Sequence, residues 1–194
     1  MKKFLTILTL ILTFQTPSQA DDIRDFQIEG MSVGDSLLDY MTEDEINNPK
    51  RNYAKNKKYY VVGKINSLKI YEIVDIYLKS GDKSYEIKTL GGMILANKSE
   101  CLPKKKKIEK ELDAMFSNIK KISYNDTSHS FDKTGKSKQS QAGYLFENDI
   151  EKDHIRVECT FWSKKIKKKH KFNDTLNVVV MTTEIQNWIL DGYN

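Results

Sequence analysis

Between Lys58 and Ala96 the chain reads YYVVGKI, KIYEIVDIYLK, SYEIKTL and GMILA, short runs rich in β-branched and aromatic residues in which apolar and polar positions tend to alternate. A period of two is the signature of half-buried strands. Ser80-Gly81-Asp82 and Gly91-Gly92 separate the later runs, so an antiparallel meander is expected with turns at both places. Cys101, Lys105, Ile108, Leu112, Met115 and Ile119 then recur at three- and four-residue spacing with Phe116 beside them, which predicts a helix. Ser99 is its expected cap, and Pro103 is tolerable in a first turn. Lys104 to Lys107 fall at its N-terminal end, where the helix dipole disfavours positive charge.

Ahead of the meander, Ser32 with Asp35 three residues on resembles a capping box, and Leu37, Leu38, Tyr40 and Met41 supply apolar positions. Thr42 with Glu45 repeats the signal, and Asn47-Asn48-Pro49 stops it, so a helix–turn–helix opening is expected. After the central helix, the polar stretch 124–141 reads as a long mobile loop or hairpin. Strands return in AGYLFEN, HIRVECTFWSK and TLNVVVMTT, followed by a short helix from Glu184 to Leu190 capped by Thr183, with Ile185, Trp188 and Ile189 inward. Strands follow strands without helical crossovers, so the expected class is α+β with antiparallel sheet: helix–turn–helix, β-meander, central helix, second antiparallel β segment and short C-terminal helix.

The first residues change the picture of where this domain works. MKKFLTILTLILTFQTPSQA has two lysines, an apolar run from Phe4 to Phe14, Pro17, and small residues Ser18 and Ala20 at the spacing of a cleavage site. That is the form of a bacterial signal peptide over 1–20, cut after Ala20, and the run is shorter than the roughly 20 apolar residues that span a bilayer. The remainder, 21–194, is expected to be a single domain, periplasmic or secreted, with no transmembrane segment after cleavage; two α-then-β halves, 21–98 and 99–194, are a possible subdivision. In an oxidising compartment the isolated pair Cys101 and Cys159 reads most simply as one disulfide. The alternative, a reactive thiol or metal ligand, lacks a histidine or second cysteine at ligand spacing.

The chain carries 32 basic and 27 acidic residues, and Arg24, Arg51 and Arg156 are its only arginines. Lysine richness of this kind accompanies AT-rich genomes and says little about binding by itself. The sharpest charge feature is KKIKKKHK, where Lys164, Lys165, Lys167, Lys168, Lys169 and Lys171 follow a strand bearing Phe161 and Trp162. It is expected as a basic hairpin tip, either a solvated loop that keeps a sheet edge soluble or a contact for anionic headgroups or glycans. Export and the scarcity of arginine argue against nucleic acid.

Three lookalikes of catalytic motifs fail on context. Gly34-Asp35-Ser36-Leu37 fits the G-D-S-L esterase string, making Ser36 the candidate nucleophile of a small secreted hydrolase, the alternative to a binding role. No apolar strand leads into it, and no downstream asparagine or Asp–His pair stands where that chemistry needs an oxyanion donor and a base. Gly30-Met31-Ser32-Val33-Gly34 fits G-x-S-x-G but has no preceding βα units. Thr134-Gly135-Lys136-Ser137 echoes the end of a phosphate-binding loop without its upstream glycine or flanking strand and helix. His129, His154 and His170 have no ligand partners at i+4, so no metal or other cofactor is expected.

Taken together, IEGMSVGDSLLDYMTEDEI, HSFDKTGKS and VECTFWSK ahead of TTEIQNWI resemble a group of short secreted proteins of marine α-proteobacterial type with no assigned function. The resemblance implies that the G-D-S-L string belongs to the group's opening helix, and it implies no catalytic residues. At fold level the predicted order also resembles small periplasmic binding or assembly modules, such as β-lactamase-inhibitor-like and outer-membrane-assembly lipoprotein folds, an analogy that does not fix function. The expected role is non-catalytic: a binding or envelope-associated protein meeting an envelope protein or an anionic surface through a sheet face or edge. Tyr59, Tyr60, Tyr71, Tyr77, Tyr85 and Trp162 are candidate contact aromatics, most of them core by strand alternation.

Overall fold

The computed structural model describes residues 21–48, 50–51, 57–64, 67–147, 149 and 151–192; the expected leader and its cleavage site lie outside them. Among the described residues the elements are α1 (Glu43–Asn47), β1 (Lys50–Arg51), β2 (Tyr59–Lys64), β3 (Ile73–Lys79), β4 (Ile87–Leu95), α2 (Lys98–Met115), β5 (Lys120–Ser128), β6 (Lys138–Leu145), β7 (His154–Phe161), α3 (Lys164–His170), β8 (Thr175–Met181) and α4 (Thr183–Gly192). The fold is α+β, and all strands join one antiparallel sheet in the order β1-β2-β3-β4-β8-β7-β6-β5. Two meanders therefore meet in the middle, where β4 pairs with β8. Because β4 ends at the centre and β5 lies at the far edge, α2 has to carry the chain across one face. No described helix is long and apolar enough to cross a membrane.

Alternation sorts the strands into two faces. Val74, Ile76, Leu90, Ile155, Val157, Cys159, Leu176, Val178 and Val180 are buried in the main core with Cys101, Leu112 and Phe116 from α2 or its C-cap. Ile23, Ile28, Met31, Val33, Leu37 and Ile46 of the N-terminal segment bury into the same core. Cys101 on α2 and Cys159 on β7 form a disulfide with Cα atoms 6.0 Å apart, which staples the crossing helix to the sheet. Near its other end α2 is tied by charge: Lys121 of β5 bridges Glu109 at 3.1 Å and Asp113 at 2.9 Å, and the Tyr144 hydroxyl donates to Asp113 at 2.7 Å. On the opposite face α4 covers part of the sheet through Ile185 and Trp188, whose ring meets Tyr59 edge-on at 5.3 Å.

Several expectations are corrected. The opening unit is not a helix–turn–helix: it holds two single 3-10 turns, Ile23–Asp25 and Leu37–Asp39, and the five-residue α1. Its backbone is spent on the sheet instead, since Gly34 N–H donates to Ile87 O, Ile87 N–H to Asp35 O and Leu37 N–H to Tyr85 O. Ser32 caps nothing; its N–H donates to Asp35, while Ser36 caps the 3-10 turn. Thr42 and Glu45 do form a capping box on α1.

Gly91-Gly92 is no turn but the interior of β4. The Tyr71 ring lies where a Cβ on Gly92 would stand, 2.5 Å away, so the missing side chain admits the ring. The α2 cap is Asn97, which accepts from Ser99 and Glu100 N–H, and not Ser99; Pro103 consequently falls in the second turn, and Ile119 lies beyond the helix end. Lys104 to Lys107 sit inside the helix, where Lys105 is buried and pairs with Glu109. Of the two forms expected for 124–141 the hairpin is the one found: β5 and β6 flank a turn over 129–137. The N-terminal N–H of α4 is received by Asp153, to which Thr183 donates both its N–H and its hydroxyl at 2.7 Å.

Candidate functional site

One end of the sheet gathers side chains that are distant in sequence. The β5–β6 turn is built around Asp132, a buried carboxylate that accepts from Thr134 N–H (3.0 Å) and hydroxyl (2.7 Å), Ser137 N–H (3.0 Å) and hydroxyl (2.6 Å), and the Ser163 hydroxyl (2.8 Å). These bonds, those from Ser137 and Thr134 foremost, hold its pKa well below the usual carboxylate range. Thr134-Gly135-Lys136-Ser137 is thus a turn wrapped on a carboxylate; the groups that would cradle a phosphate already serve an internal anion. Gly135 supplies the left-handed corner, at φ +70°.

Ser163 carries that order into α3. Its hydroxyl accepts from Ile166 N–H as the N-cap while donating to Asp132, and its own N–H donates to the Ser137 hydroxyl at 2.9 Å. The basic run is therefore a helix, not a hairpin tip, pinned by buried Ile166 and closed by Lys171 in the left-handed region. Asp174 fixes the return, accepting from Trp162 N–H at 2.8 Å and from Lys167 at 2.7 Å.

Five aromatic rings converge on this scaffold. His129 lies 4.4 Å from Trp162, Phe131 5.9 Å from Trp162, Trp162 5.0 Å from Phe172, and His170 5.2 and 5.3 Å from Phe131 and Phe172. Phe131 is nonetheless 48 % exposed and Phe172 37 %, so the cluster presents apolar edges to solvent rather than closing a core. Phe131 N–H donates to His129 Nδ1 at 3.1 Å, which leaves the imidazole proton on Nε2. Burial lowers the His129 pKa, so the ring is neutral at neutral pH.

Around the rings, Lys164, Lys165, Lys168, Lys169 and Lys171 have no carboxylate partner among the described residues, whereas Lys167 is occupied by Asp174. Of the sequence-nominated aromatics only Trp162 belongs to this site. Tyr59, Tyr60 and Tyr85 are buried, and Tyr71 and Tyr77 are partly buried elsewhere. Sequence reasoning missed His129, Phe131, His170 and Phe172; the available signal was two phenylalanines standing alone in polar runs.

The other nominated positions do not assemble into chemistry. The Ser36 hydroxyl donates to the Ser84 carbonyl at 2.7 Å and accepts from Leu38 N–H, so its bonds go to backbone and not to an imidazole. His154 is buried on β7, away from the pair His129 and His170 at the tip. Among the described residues no group of three His, Cys, Asp or Glu side chains is placed to hold a metal ion. On the open sheet face, Asp75, Arg156, Asn177 and Met93 line a cleft of about 210 Å³ beside α4, in which Arg156 faces Glu158 at 3.7 Å. No protein-family model matches the chain, and neither a curated protein nor a solved structure shows significant similarity to it.

Proposed function

We propose that the chain is an exported, non-catalytic binding protein that attaches to an anionic lipid surface through its aromatic, lysine-rich end. The supporting observation is the coincidence of half-exposed Phe131 and Phe172 with five lysines that lack carboxylate partners. Aromatic rings settle at the headgroup level of a bilayer, and each lysine near an anionic leaflet adds roughly 1 kcal/mol. The rings are held by Asp132 and Ser163 without closing a core, so little ordering is required on contact. Export is supported by the leader-like first residues and by the disulfide, which persists in oxidising compartments.

Co-sedimentation with vesicles tests this. Mature protein pellets with phosphatidylglycerol-containing vesicles and not with pure phosphatidylcholine, and binding weakens as salt rises. Binding that ignores lipid charge and salt, or no binding to either vesicle, overturns the proposal.

A further inference from the structure

On the α2 face, away from the aromatic end, lies a groove of about 480 Å³. Phe26, Ile70 and Tyr71 form one wall, Ile108, Leu112 and Met115 of α2 form the other, and the sheet closes the floor. The first wall is built rather than incidental. Glu29, in the left-handed region at φ 54°, accepts from three successive backbone N–H groups, Lys69 at 2.8 Å, Ile70 at 2.6 Å and Tyr71 at 2.9 Å. That clamp and the ring-sized gap over Gly92 fix Tyr71. Ile70 is left 68 % exposed and Met115 39 % exposed, so the lips of the groove are apolar side chains standing in water.

Charge is distributed unevenly along it. Lys104 and Lys107, one turn apart on α2, line one end and have no carboxylate partner among the described residues. The Glu29 carboxylate is consumed by backbone N–H groups, which together outweigh the effect of burial and lower its pKa. Glu111 lies one turn beyond Lys107, between it and Met115, and disfavours an anion past the two lysines. From Lys104 to Met115 the helix rises about 16 Å, enough for a medium-length acyl chain laid along it. The volume is that of a small-molecule site with apolar walls and few polar groups.

We propose that this groove holds one fatty-acid anion, its carboxylate against Lys104 and Lys107 and its chain along Ile108, Leu112 and Met115 beside Ile70. The two lysines select the charge, and the apolar walls supply affinity. The site is independent of the aromatic end.

Isothermal titration of the disulfide-bonded mature protein with laurate, below its micelle concentration, tests the assignment, with dodecanol as the uncharged analogue. Laurate binds with one-to-one stoichiometry, and Lys104→Ala with Lys107→Ala weakens it about tenfold, the equivalent of two modest ion pairs, while leaving dodecanol unchanged. Ile70→Asp, at a position 68 % exposed, weakens both ligands. Phe131→Ser with Phe172→Ser leaves laurate binding intact, which separates this site from the vesicle contact. Absence of saturable laurate binding, or laurate affinity unchanged in the lysine variant, overturns the proposal.

Discussion

The Asp132 carboxylate and the Ser163 hydroxyl meet at 2.8 Å across 31 positions of sequence, and this bond couples the β5–β6 turn to the N-terminus of α3. It joins two of the segments displayed at the aromatic end: Phe131 precedes Asp132, Trp162 precedes Ser163, and the basic helix follows, with Asp174 fixing the return past Phe172. The lysines and the rings form one surface because one buried anion organises both segments.

Asp132→Ala is expected to loosen the end without unfolding the sheet. Amide exchange should accelerate over 129–137 and the first turn of α3, while β3, β4 and β8 keep their protection. Acid should act in the same direction. Because the folded-state pKa lies below the ordinary value of 3.8, the stabilisation is complete above that value and is lost as pH falls from it through the folded pKa. The alanine variant should lack this acid-dependent loss of protection.

Removing the staple between α2 and β7 tests a separate part of the fold. Cys101→Ser with Cys159→Ser opens a loop of 58 residues, and lost chain-entropy restraint puts the cost at about 4 kcal/mol. Urea midpoints of oxidised protein and variant measure it. Mass spectrometry without reductant should find the two cysteines linked; two free thiols in protein recovered from its native compartment would contradict the pairing.

His154 gives a second, milder pH dependence. It is buried on β7, and its Nε2 has no partner among the described residues; burial lowers its pKa below 6.5 and Arg156 adds to this, against the Lys152 carbonyl 2.8 Å from Nδ1 and the Asp153 carboxylate, which both raise it. The unfolded chain therefore binds the proton first. Stability from this group is full above pH 6.5 and falls as pH drops through the folded pKa. Replacing His154 by Phe should flatten the stability profile below pH 6.5, measured by urea unfolding at successive pH values.

What was legible in the sequence followed the strength of local patterns. Alternation marked β3, β7 and β8, an apolar run marked β2, and the three- and four-residue spacing marked α2 with its disulfide stripe, because each of these elements sets side chains into the core. Where a tertiary partner replaced local bonding, the reading failed. The Ser32–Asp35 pair resembles a cap, yet Gly34 at φ +94° turns the chain so that its backbone bonds to Tyr85–Ile87. Gly91-Gly92 resembles a turn, yet the space serves the Tyr71 ring. The lysines of the candidate site were visible as a charge run; the rings were not, because His129 and Phe131 reach Trp162 and Phe172 only once β6 pairs with β7.

The most direct test is the fluorescence of Trp162, isolated by replacing buried Trp188 with Phe. On titration with phosphatidylglycerol-containing vesicles its emission should shift to the blue and become shielded from aqueous quenchers. Phe131→Ser with Phe172→Ser should abolish the shift, and Lys164→Ala, Lys165→Ala, Lys168→Ala and Lys169→Ala together should weaken vesicle affinity with a smaller salt dependence. An emission spectrum unchanged by anionic vesicles at saturating lipid would contradict attachment through this end.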